Sequence, residues 1–163
     1  MVDVGDTAPD FTVPRAGGNA YNDLSPFTLS EAIKDGPVVL AFIPAAFTGG
    51  CTEEMCTFRD QYPGFESLKA QVYGVSVDLP FAQNTFIQQH DLPFSMLSDW
   101  KHEVTEAYDV VLKGMYDMLD TSQRSVFIID SDGIIRYKWV RDGDNPEFEP
   151  FVESIRTEVQ SIV

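Results

Sequence analysis

A chain of 163 residues with 44% apolar composition is about one domain in length and long enough to bury a core. Its 26 acidic residues against 11 basic ones, a formal net charge of −15, repel nucleic acid and anionic membranes, which both need a positive footprint. No apolar run approaches the ~20 residues that cross a bilayer. Two cysteines and two histidines give neither a disulfide scaffold nor the spacing of a zinc site, so no metal and no cofactor are expected.

The chain begins Met1-Val2-Asp3-Val4-Gly5-Asp6, without a basic segment followed by an apolar one, and a cytoplasmic protein is the expectation. Phe11-Thr12-Val13 and Ser25-Pro26-Phe27-Thr28-Leu29 read as short strands around a loop at Arg15-Ala16-Gly17-Gly18-Asn19. Ser30 reads as the cap of a short helix over Glu31 to Lys34, closed by Gly36-Pro37.

Val38 to Ile43 is an uninterrupted apolar run, the pattern of a buried strand. Pro44 ends it, and Gly49-Gly50 are read as the residues that let the backbone turn. The pattern Met55, Phe58, Tyr62, Phe65 then marks a helix with Cys51 in its first turn. That helix is expected to run to about Tyr62, where Pro63-Gly64 should kink or end it before Phe65 and Leu68 mark helical structure again. A helix N-terminus offers unpaired N–H groups and about half a positive charge, which favour a thiolate over a thiol. Cys51 is therefore a candidate nucleophile, although a free cysteine is also a common buried packing residue.

Further along, Gln71 to Asp78 reads as a second central strand, and Pro80 to His90 as a helix burying Phe81, Phe86 and Ile87. Phe94 to Ser98 is a short strand or extended connector, and Val104, Ala107 and Tyr108 mark another helix. Ser125 to Asp130 and Ile134 to Val140 are strands joined through Ser131-Asp132-Gly133, a hairpin signal. Phe148, Phe151, Val152, Ile155 and Val159 repeat at helical spacing and close the chain. Strands alternating with helices, then a hairpin and a last helix, predict an α/β mixed sheet between helices. No linker or internal repeat divides the chain, and a single domain over residues 1–163 is expected.

The spacing Pro-x-x-x-Thr-x-x-Cys, met as Pro44, Thr48 and Cys51, resembles the active-site signature of the peroxiredoxins. Cys51-Thr52-x-Glu54 with Phe58-Arg59-Asp60, Leu92-Pro93-Phe94-x-Met96-Leu97-Ser98-Asp99, and Arg124 to Asp130 with Gly133 are similar to further blocks of that family, in the same order. So is the opening Val4-Gly5-Asp6-x-Ala8-Pro9-Asp10-Phe11. The resemblance implies a thioredoxin-like fold with an N-terminal extension, and a thiol peroxidase acting on hydrogen peroxide and organic hydroperoxides. In that reading Cys51 is the peroxidatic cysteine, Thr48 sets a hydroxyl beside the sulfur, Pro44 shields the pocket, Arg124 brings a fixed cation, and Glu54 orients the arginine. Taken singly, Thr48 could be only a helix cap, Pro44 a strand stop, and Arg124 and Glu54 surface charges.

Cys56 stands five residues after Cys51, the spacing of the bacterioferritin-comigratory (Q-type) branch, whose resolving cysteine lies in the same helix. Five residues of intact helix separate Cα atoms by roughly 8 to 9 Å, beyond the ~7 Å a disulfide spans, so resolution implies local unwinding. The run Pro44-Ala45-Ala46-Phe47-Thr48-Gly49 is similar instead to the one-cysteine-like, AhpE-type branch. The first branch implies a thioredoxin-like reductant and often monomers, the second a small thiol or other external donor and dimers. Cys56 as a packing residue, a thiol–disulfide oxidoreductase and a non-catalytic redox sensor stay open beside these. The scattered acidic surplus fits both plain solubility and a salt-adapted, halophilic source, since molar salt shortens the Debye length to about 3 Å.

Overall fold

The computed structural model describes residues 2–163. Its main sheet has seven strands in the order β2 (Leu24–Thr28), β1 (Thr12–Ala16), β5 (Met96–Ser98), β4 (Gln71–Ser76), β3 (Val38–Phe42), β8 (Ser125–Ile129), β9 (Ile135–Val140). β3, β4 and β5 run parallel, while β1, β2, β8 and β9 pair antiparallel. Every residue of β3 is buried, as expected of a strand covered on both faces. Its side chains alternate between two cores. Val39, Ala41 and Ile43 pack with α2 (Gly49–Glu66), α3 (Pro80–His90) and α5 (Phe148–Gln160). Val38, Leu40 and Phe42 pack on the other side with Val104 and Tyr108, around α4 (Glu103–Ala107), and with Leu29 of α1 (Leu29–Ala32).

The hairpin signal at residues 130–133 is realised, because the Asp130 carboxylate accepts the N–H groups of Asp132 and Ile134 and Gly133 supplies a φ of +81°. Other expectations are corrected. The helix carrying Cys51 does not end at Tyr62 but runs unbroken to Glu66, with Pro63 inside it. Phe58 and Phe65 are both wholly buried, and that packing outweighs the hydrogen bond Pro63 cannot make. Ser30 lies inside α1 rather than capping it, and Asp10 takes the capping role by accepting the Ser30 N–H at 2.9 Å. β1 extends through Arg15 and Ala16, which the glycine-rich pattern that follows them places in the loop. Phe81 is 47% exposed, so of the apolar residues expected to be buried by α3 only Phe86 and Ile87 are.

A second, two-stranded sheet pairs β6 (Val111–Met115) with β7 (Leu119–Ser122). It has no counterpart in the sequence reading. Its turn uses Tyr116 and Asp117, both at positive φ (54° and 59°), where a sequence signal would need Asn-Gly or Asp-Gly.

Candidate active site

The site begins where β3 ends. After Pro44 the chain turns at Phe47, whose φ is +69°, and enters α2 with Thr48 in the N-cap position. The turn therefore falls on Phe47, while Gly49 and Gly50 are already helical. The Ala46 N–H donates to Asp78 Oδ2 at 2.8 Å, which ties this loop to the end of β4. The Phe47 ring meets Phe86 edge-on, with centroids 5.2 Å apart.

Cys51 sits in the first turn of α2 and is 1% exposed. The N–H groups of that turn lie outside the helix's own hydrogen-bond ladder and favour negative charge beside them. Thr48 makes no side-chain cap. Its hydroxyl instead donates to the Ala45 carbonyl at 2.8 Å, which leaves the oxygen's lone pairs as acceptors.

Arg124 arrives from just before β8. It is 3% exposed, and every arm of its guanidinium is engaged. Nη2 donates to Cys51 Sγ at 3.3 Å, Nη1 to Glu54 Oε1 at 3.1 Å, and Nε to Asn145 Oδ1 at 2.9 Å. Its carbon lies 5.5 Å from the centre of the Phe148 ring. Burial disfavours the Arg124 charge, but Glu54 and Cys51 outweigh it and hold its pKa above the ordinary value. Glu54 is wholly buried, and one of its oxygens, Oε2, has no partner among the described residues. Desolvation raises its pKa to about 7 against the pull of Arg124.

Pro44, Thr48, Cys51 and Arg124 thus line one open pocket of about 400 Å³. Leu112, Met115 and Tyr116 of the second sheet form an apolar wall, and Arg141 and Asn145 stand beside Arg124. These five residues escaped the sequence reading. Arg141 and Asn145 follow a strand in an acidic loop without periodicity, and the apolar wall hangs on the unsignalled turn at Tyr116-Asp117.

Gly50 has a role other than turning. A Cβ there would lie 2.8 Å from Asn145 Nδ2 and 3.1 Å from Arg124 Nη2, so its small size lets those side chains approach the helix. Cys56 is half-buried, and neither it nor the buried Cys51 is in a disulfide. Burial pushes the Cys56 thiol up, opposed by Arg59 and reinforced by Asp60. His90 is half-buried against Phe86, with rings 4.8 Å apart, and His102 is the N-cap of α4.

The AhpC/TSA family model matches residues 4–138, most of the chain and all of the elements that carry Cys51 and Arg124. The chain belongs to this family and is a peroxiredoxin. It is 34% identical to peroxiredoxin Bcp of Bacillus subtilis over 140 residues, 85% of each chain. It shares the same identity with the chloroplastic peroxiredoxin Q of rice, Oryza sativa subsp. japonica, over 91% of this chain and 62% of that one. Among solved structures, peroxidoxin BcpB of Mycobacterium tuberculosis superposes with a TM-score of 0.86 at 29% identity, covering 100% of this peroxiredoxin and 99% of the other chain. The fold is that of these proteins, thioredoxin-like, and the peroxiredoxin is a thiol-dependent, cysteine-based peroxidase.

Proposed function

We propose that this peroxidase reduces hydrogen peroxide and organic hydroperoxides at Cys51. The contact between Arg124 Nη2 and Cys51 Sγ at 3.3 Å carries this reading, because it puts a permanent cation on the sulfur at a helix N-terminus. The thiolate attacks the terminal oxygen of the hydroperoxide. An S–O bond forms as the O–O bond breaks, sulfur is oxidised to the sulfenic acid, and the departing alkoxide or hydroxide takes a proton to leave as alcohol or water. Arg124 stabilises the charge that develops on the departing oxygen. Thr48, its own proton committed to Ala45, accepts the hydrogen bond of the hydroperoxide O–H. Pro44 walls the pocket without a competing N–H. Glu54 holds Arg124 from below. The apolar wall at Leu112, Met115 and Tyr116 supports organic hydroperoxides as substrates.

Resolution falls to Cys56. Its thiolate attacks the Cys51 sulfur, a disulfide forms and the sulfenic oxygen leaves as water; a thioredoxin-like dithiol then reduces the disulfide. The unbroken helix through both cysteines supports a second reading, in which an external thiol reduces the sulfenic acid directly. Mass spectrometry after one equivalent of hydrogen peroxide, with and without a sulfenate trap, separates them in wild type and Cys56→Ser. The first reading gives a Cys51–Cys56 disulfide in wild type and a trapped Cys51 sulfenate in the variant. A sulfenate persisting in wild type moves the assignment to the second, and unmodified Cys51 in both proteins refutes the peroxidatic role.

A further inference from the structure

The loop between β9 and α5 closes around Arg124. The Arg141 N–H donates to the Arg124 carbonyl at 2.9 Å, so the chain leaves β9 beside this residue. Pro146 biases the preceding Asn145 towards extended backbone, and Phe148 then sets its ring by the guanidinium. Between them the Asn145 side chain does something neither neighbour does. Its single oxygen Oδ1 accepts Arg124 Nε at 2.9 Å and Arg141 Nη1 at 2.9 Å, while its Nδ2 lies against the space left by Gly50. Two cations that would repel each other are thus joined through one neutral acceptor at the mouth of the Cys51 pocket.

We propose that Asn145 is a positioning residue of this peroxidase: its side-chain carbonyl holds the guanidiniums of Arg124 and Arg141 together at the pocket that contains Cys51. The inference rests on the reading of Cys51 and Arg124 given above. Glu54 fixes one end of the Arg124 fork at Nη1, and Asn145 fixes the base at Nε, which leaves Nη2 aimed at the sulfur. Without the second hold the guanidinium swings about the Glu54 contact, and Arg141 returns to solvent. The side-chain oxygen suits this task because it is a strong acceptor with lone pairs for both guanidiniums.

The test is the single-turnover rate of Cys51 oxidation by hydrogen peroxide, followed from pH 5 to 9 in wild type, Asn145→Ala, Asn145→Asp and Cys51→Ser, with thermal midpoints for each. The alkaline plateau reads placement of Arg124 apart from the ionisation of the thiol. Asn145→Ala should lower that plateau about tenfold, the loss expected for one charge-assisted hydrogen bond. Asn145→Asp keeps an oxygen for both guanidiniums and should stay within about twofold of wild type on the plateau. Thermal midpoints should fall in Asn145→Ala, which leaves the buried Arg124 Nε without its acceptor, and fall less in Asn145→Asp, which keeps one. A wild-type plateau in Asn145→Ala overturns the inference, as does an Asn145→Asp plateau as low as that of alanine. If Cys51→Ser still consumes peroxide, the reading of the site fails first; if it is inert while Asn145→Ala is unchanged, the inference about Asn145 alone fails.

Discussion

Glu54 accepts a hydrogen bond from Arg124 at 3.1 Å, yet the carboxyl is wholly buried and its second oxygen has no partner among the described residues. Desolvation therefore wins over the arginine's attraction and raises the Glu54 pKa from the ordinary 4.5 to about 7. The same carboxyl lies on the helical stretch between Cys51 and Cys56 that must unwind if a disulfide is to form.

This makes stability depend on pH in a definite direction. The folded protein keeps the Glu54 proton that the unfolded chain releases, so stability from this group is full below about pH 4.5 and is lost as pH rises to about 7. Glu54→Gln removes the titration. The unfolding free energy of the variant, from urea denaturation, should rise relative to wild type between pH 5 and pH 8 by an amount on the order of 1–3 kcal/mol. A difference that stays constant across that range would show that Glu54 does not titrate within it.

Gly49 and Gly50 occupy consecutive positions of one helix but should respond differently to alanine. A Cβ at Gly49 meets nothing within 4 Å, whereas one at Gly50 crowds Asn145 and Arg124. Gly49→Ala should stabilise the protein by up to about 1 kcal/mol, the helix-propensity difference. Gly50→Ala should gain little stability and slow the reaction with peroxide about tenfold, because the guanidinium shifts off the sulfur. Chemical denaturation and stopped-flow mixing with hydrogen peroxide read the two effects.

Asp78 holds the loop that precedes Cys51 through the Ala46 N–H. Asp78→Ala orphans that donor, and Ala46 is only 8% exposed. The substitution should cost about 1–3 kcal/mol, while Asp78→Asn, which keeps an acceptor, should recover most of it. Urea denaturation of the two variants decides this; equal losses would mean that the carboxylate acts by charge.

Much of this arrangement is written in short-range pattern, and the rest is not. β3, the β8–β9 hairpin and the amphipathic α5 follow from apolar periodicity and from Asp132-Gly133. The motif around Pro44, Thr48 and Cys51 resembles a known signature, and the structure brings these residues together with Arg124, 73 positions beyond Cys51. Other features depend on the fold closing first. Pro63 reads as a helix breaker, but the burial of Phe58 and Phe65 carries the helix past it. Asn145 looks like any polar loop residue until α5 docks and turns it onto Arg124. The Tyr116-Asp117 turn puts a tyrosine at positive φ and has no glycine at either position, so the wall it supports has no local signal.

The role proposed for Arg124 is to drive the reaction with peroxide through its contact with Cys51. It is tested most directly by comparing Glu54→Gln with the double variant Arg124→Gln/Glu54→Gln, so that removing the arginine does not leave the Glu54 carboxylate buried alone. The measurement is the second-order rate of Cys51 sulfenate formation with hydrogen peroxide at pH 8. Loss of the arginine should slow it about 100-fold, the scale seen when one donor to a developing oxyanion is removed. A double variant that reacts within about twofold of Glu54→Gln would contradict that role of Arg124.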